Sequence, residues 1–174
     1  LALTETHVVY AHHWSSYAYP RPTPQFTQTH RDIFVEAVFL SAFQAWEEFL
    51  EESFILYILG KKPPRGKRLY SLVPVSTRKH ARHLLLQGKP YLDWSPIHKI
   101  KGYNKNLFVD STTSYFNSLS TIETPLNEIS TIRNAIAHRS ESSWDSFKKI
   151  VRNKLRGTFP ADMTVGKFLT TVIP

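Results

Sequence analysis

The stretch RDIFVEAVFLSAFQAWEEFLEESFILYIL, residues 31–59, contains neither glycine nor proline and runs into Gly60, Pro63 and Pro64. It predicts one long helix that stops at Gly60, because glycine accepts the left-handed turn that ends a helix and proline cannot continue one. At about 100° per residue, Val35, Phe39, Ala42, Phe43, Trp46, Leu50, Ser53 and Tyr57 fall on one stripe. Ile55, Ile58 and Leu59 add apolar surface on the other side, so that end is expected to be buried all round, in a bundle core or a subunit interface. Glu48 and Glu51 point away from the stripe. Glu36 and Glu47 sit at its margin, where a carboxylate can reach a buried cation.

Working outward, residues 76–87 read as a short helix closed by Gly88, and residues 111–119 as a weaker helical segment. Thr124 as N-cap and Pro125 at the first helical position open a helix whose apolar positions are Leu126, Ile129, Ile132 and Ile136. Ser142 with Asp145 resembles a capping box ahead of an amphipathic run, Trp144, Phe147, Ile150, Val151 and Leu155, that ends at Gly157. A last short helix is expected over residues 164–172. Residues 61–68 form a basic loop and residues 89–110 a long connection. Neither a hairpin signature nor an internal repeat is visible. The expectation is an all-α, antiparallel helical bundle of about four to five helices over residues 31–174. An irregular arm, residues 1–30, precedes it, broken by Pro20, Pro22 and Pro24.

A chain of 174 residues fits one domain with a substantial core. Cysteine is absent, which removes disulfide and thiolate chemistry and makes a reducing cytoplasm the simplest home. The sequence opens on Leu1, so a missing signal peptide says little about export. Uninterrupted apolar runs fall well short of the ~18 residues a membrane span needs, so no membrane partner is expected. His12 with His13, and His80 with His83, lack further ligands nearby, so neither a metal nor another cofactor is expected.

The net charge of +8 is unevenly placed. From Lys61 to Val109, twelve Lys and Arg residues face one acid, Asp93, giving that third of the chain a net charge of +11. A polyanion suits such a surface, because neutralising phosphates releases counterions; a merely solvated basic face is the plain alternative. Tyr91, Trp94 and Tyr103 alternate with Lys99, Lys101 and Lys105, a mixture that suits single-stranded RNA through base stacking and phosphate contact. The same pattern also fits a packed surface loop. Candidate RNA contacts are Lys61, Lys62, Arg65, Lys67, Arg68, Lys101, Tyr103 and Lys105.

The residues best suited to chemistry are Arg133-Asn134-Ala135-Ile136-Ala137-His138. An imidazole can give or take a proton near neutrality, and a guanidinium can hold a phosphoryl oxygen through two hydrogen bonds. RNA cleavage needs both: proton transfer at the 2′-hydroxyl or leaving oxygen, and a cation against the charge building on phosphorus. Asn134 lies one turn before His138 and can orient its ring, whereas Arg133 is rotated by roughly 140° from His138. The two can address one site if the helix ends or bends at His138, or if a second copy supplies part of the site. On spacing alone, an Arg and a His capping the carboxyl end of a helix are the plainer reading.

Arg133-Asn134 with Ile136-Ala137-His138, and the Ala45-Trp46-Glu47 segment followed by Phe49 in the first long helix, resemble the HEPN domain ribonucleases, specifically the RiboL-PSP type. The likeness covers about residues 31–172 and rests on the R-x4-6-H motif, in which a polar residue commonly follows the Arg. It implies an antiparallel bundle that forms a homodimer with a composite active site. It also implies metal-independent RNA cleavage by the 2′-hydroxyl, leaving a 2′,3′-cyclic phosphate and a 5′-hydroxyl. Arg133 and His138 carry over as catalytic and Asn134 as their polar support; Glu47 is the expected carboxylate that positions Arg133 or His138, or else a salt-bridging residue. Some toxins of this family carry a tyrosine two positions after the histidine, where this chain has Ser140. That departure argues against control by a nucleotidyltransferase and leaves any antitoxin or other regulatory partner undefined. The resemblance points to antiphage defence or toxicity; the alternative is a non-catalytic module that binds RNA or mediates dimerisation.

Overall fold

The computed structural model describes residues 26–64, 67–112 and 115–170. The chain divides into two units, residues 1–31 and 32–174. Of the first, residues 26–31 are described; the rest of the expected arm, with His12 and His13, lies outside the described residues, as do Arg65 and residues 171–174.

The regular elements are helical: α1 (Gln28–Ile58), α2 (Arg78–Leu86), α3 (Ile97–Leu107), α4 (Tyr115–Ser118), a 3-10 turn (Leu119–Ile122), α5 (Glu123–His138), α6 (Glu141–Leu155) and α7 (Val165–Thr170). Among the described residues an isolated antiparallel bridge, Ser71 to Phe108, is the extended pairing, and no helix is long and apolar enough to cross a membrane.

Several expected boundaries shift for local reasons. Helix α1 starts three residues early, inside the expected arm, because the Thr27 hydroxyl accepts the His30 amide at 3.3 Å and caps the first turn. It ends at Ile58, with Gly60 at φ 73° and the Lys61 amide bonded to the Leu56 carbonyl. Thr77 caps α2 by accepting the His80 amide, and Gln87 closes it in the left-handed conformation. Helix α5 grows out of the 3-10 turn, so Thr124 is not its cap. Pro125 lies within the first turn, where amides have no intrahelical acceptor. The cap of α6 is Ser140, which accepts the Ser143 amide at 3.3 Å, in place of Ser142; Asp145 pairs instead with Lys148 at 3.0 Å.

The largest correction concerns residues 89–110. The segment is not simply a connection, since α3 occupies half of it, burying Ile97, Ile100, Asn104 and Leu107 at helical spacing. The intervening lysines, Gly102 and polar Asn104 conceal this periodicity in the sequence. Asn104 is accommodated by donating from Nδ2 to the Ser111 carbonyl at 2.9 Å. Trp94 is only 2% exposed, so it packs the interior and is not a stacking platform for RNA.

Buried side chains of the described residues form two clusters. The first gathers Leu50, Phe54, Ile55 and Ile58 of α1 with Ala81 and Leu85 of α2, Trp94, and Ile97, Ile100 and Leu107 of α3. The second gathers Ile132, Ala135 and Ile136 of α5 with Phe147 and Val151 of α6 and Met163, Val165 and Phe168, against which Phe39 and Leu40 of α1 lean. The expected stripe of α1 is therefore shared between clusters, and its other face leaves Phe34, Val38 and Phe49 exposed. Near its start, Asp32 accepts from the Thr164 hydroxyl at 2.5 Å and Glu36 accepts from the Gly166 amide at 3.0 Å, fastening α7. Gly166 has to be glycine there, because a Cβ would collide with the Asp32 backbone.

Candidate active site

Helix α5 delivers the motif. Its inner face, Ile132, Ala135 and Ile136, is buried, which fixes the helix about its axis and turns Arg133 and Asn134 to a half-buried flank. The helix ends at His138, and Arg139 follows with φ 47°, a left-handed conformation that stops the spiral. The end of the helix at His138 is one of the two conditions under which Arg133 and His138 could address one site. Arg133, Asn134 and His138 line one cleft of about 840 Å³.

Its lining also includes Asp93, Ser95, Pro96 and His98, which the sequence did not single out for chemistry, together with Tyr91, which is 74% exposed. The Ser130 hydroxyl of α5 donates to the Ser95 carbonyl at 2.7 Å and ties α5 to this segment at a buried point. Glu47 of α1 lines the same space. Recognising α3 from the 3-4-3 spacing of Ile97, Ile100, Asn104 and Leu107 would have drawn attention to His98 in its first turn.

The cleft-lining charges Glu47, Asp93 and Arg133 influence one another. Burial holds the Glu47 carboxyl above its ordinary pKa, assisted by the negative charge of Asp93 and opposed by the Arg133 guanidinium and the Trp94 backbone amide. Asp93 feels burial most strongly, yet the hydrogen bond from Lys99 at 2.7 Å and the Ser95 amide outweigh it, and its pKa lies below the ordinary value. Arg133 rests its guanidinium 5.7 Å from the centre of the Phe43 ring and donates to Asn134 Oδ1 at 3.1 Å. Asn134 is thus engaged with Arg133, and not with the His138 ring as the spacing had indicated. His138 is exposed at the cleft's edge and also lines a shallower hollow with Ser140, Ser142, Ser143 and Ser146.

The Glu47 shift has a definite sign. A carboxyl whose pKa is raised by folding favours the protonated form, so its stabilising contribution is complete below the unfolded value and is lost as pH rises through the folded one. The stability of wild type relative to Glu47→Gln is therefore expected to decline as pH climbs from about 4, near the ordinary glutamate pKa, towards neutrality. Urea titrations of both proteins across that range check it, and a difference that grows with pH would contradict the placement of Glu47.

The basic middle third is less bare than its composition. Arg78 pairs with Glu52, Arg82 with Glu51, Lys99 with Asp93 and Lys101 with Glu123. Among the candidate RNA contacts, Lys61, Lys62, Lys67, Arg68 and Lys105 are exposed, and Arg68 lies 5.8 Å from the centre of the Tyr70 ring. Tyr103 is half-buried, its ring set edge-on to Trp94 at 5.6 Å. None of these lysines or arginines, nor Tyr103, lines the cleft. Among the described residues no group of three or more histidine or acidic side chains is placed to hold a metal ion. Compared with known proteins, the chain matches no family model, no curated protein and no solved structure.

Proposed function

We propose that this chain is an endoribonuclease of the HEPN type. The observation that carries the reading is the convergence of Arg133, Asn134 and His138 on one cleft, with Glu47 beside Arg133. A cleft of about 840 Å³ can take a nucleotide with its phosphate. Arg133 offers a planar pair of donors to a non-bridging phosphoryl oxygen, and its bond to Asn134 limits the directions in which the fork can point. The RNA's own 2′-hydroxyl attacks the adjacent phosphorus, with His138 assisting proton transfer, and leaves a 2′,3′-cyclic phosphate and a 5′-hydroxyl. Exposed Lys61, Lys62, Lys67 and Lys105 add long-range attraction for the polyanion.

The homodimer belongs to the same proposal. Because one chain already brings Arg133 and His138 to one cleft, a second copy would extend the site with its own cations. A defensive or toxic role restrained by an antitoxin rests on the resemblance of the two motifs. The test is to incubate purified protein with total RNA in excess chelator and to sequence the new ends. Cyclic phosphate and 5′-hydroxyl termini are the expected result. Salt-sensitive binding with every RNA pool left intact would instead establish a non-catalytic RNA-binding module.

A further inference from the structure

Transfer to a 2′-hydroxyl moves two protons: one leaves O2′ as the O2′–P bond forms, and one reaches O5′ as the P–O5′ bond breaks. A single side chain can serve both steps only by returning its proton across the phosphate, whereas two side chains in one cleft can serve one step each. The cleft has a second imidazole. His98, in the first turn of α3, lines it together with Arg133, Asn134 and His138. Its side chain is exposed, and among the described residues no hydrogen bond or ion pair occupies its ring. Of the carboxylates in the cleft, Asp93 is already bonded to Lys99 at 2.7 Å.

We propose that His98 is a catalytic residue that takes the 2′-hydroxyl proton, while His138, starting as imidazolium, gives its proton to the 5′-oxygen; this rests on the ribonuclease reading above. The two imidazoles sit at opposite ends of their helices. His138 is the last residue of α5 and His98 the second of α3. At the end of the reaction His98 holds the proton from O2′ and His138 is neutral, so the pair returns to its starting state by exchange with water. No other reactant is consumed.

Two substrates separate the roles. One is a uridylyl-adenosine dinucleotide, whose 5′-oxygen must be protonated to leave; the other is uridine 3′-(4-nitrophenyl phosphate), whose nitrophenolate leaves without an acid. His98→Ala and His98→Gln are expected to lose about 10²–10⁴-fold in kcat/KM on both substrates, the scale of general acid–base catalysis. His138→Ala should lose as much on the dinucleotide yet keep most of its activity on the aryl ester. Full activity of both His98 variants on both substrates would overturn the proposal while leaving the ribonuclease reading in place. So would the reverse pattern, with His98 dispensable only for the aryl ester. A wild-type protein that cleaves neither these substrates nor RNA would overturn both readings. Circular dichroism of each variant separates lost chemistry from lost fold.

Discussion

Replacing His138 by alanine is expected to slow RNA cleavage by about 10²–10⁴-fold and to shift the thermal unfolding midpoint by less than about 2 °C. The two halves of this expectation have one cause. His138 is an exposed last residue, beyond the buried positions Ile132, Ala135 and Ile136 that hold α5 in place. Its removal therefore creates no cavity and leaves no buried group without a partner. What disappears, on the ribonuclease proposal, is a proton carrier at the cleft's edge. Single-turnover rates on a fixed RNA, measured beside calorimetry, check both halves. Undiminished cleavage by His138→Ala would remove the motif from the reaction.

The opposite separation is expected at Phe54, where folding is lost and chemistry is affected only as a consequence. Its ring is fully buried and stacks on Phe116 at 3.8 Å, with Trp94 at 5.3 Å and Phe108 at 6.0 Å. Phe54→Ala should cost about 3–5 kcal/mol, through lost burial and an unfilled cavity that rigid aromatic neighbours cannot close. Against a total of roughly 5–15 kcal/mol this is a large share, and the unfolding midpoint should fall by roughly 6–20 °C. Urea unfolding of the variant measures it. A loss under about 1 kcal/mol would mean that the ring cluster is not the centre of the first core.

Phe54 and His138 also mark what the sequence could and could not disclose. Helices α1, α5 and α6 are long, carry regular apolar spacing and end in recognisable turns, so their existence is legible. Their starts are less so, because Thr27 and Ser140 compete with neighbouring hydroxyl-bearing residues for the same capping role. Helix α3 escaped because its inner face includes Asn104, and a polar residue on a buried face looks like a loop until its acceptor, the Ser111 carbonyl, is known. The cleft was half legible for a related reason. Arg133, Asn134 and His138 are consecutive enough to be read as a motif, whereas Tyr91, Asp93 and His98 reach them only through tertiary packing. Charge density misled in the same way: Arg78, Arg82 and Lys101 are matched by Glu52, Glu51 and Glu123, residues distant in the chain.

The two buried clusters have one more consequence, for how the cleft comes apart. Its walls belong to different clusters: His98 is anchored by Ile97 and Ile100 in the first, and Arg133 with His138 by Ile132, Ala135 and Ile136 in the second. A fluctuation that loosens α6 and α7 would release the His138 wall while the aromatic stack around Phe54 stays closed. Amide protons of α5 and α6 would then exchange through sub-global opening, ahead of those in the second half of α1. On the ribonuclease proposal, activity would then be governed by the weaker of two cooperative units, and would vanish well below the temperature at which the whole chain melts.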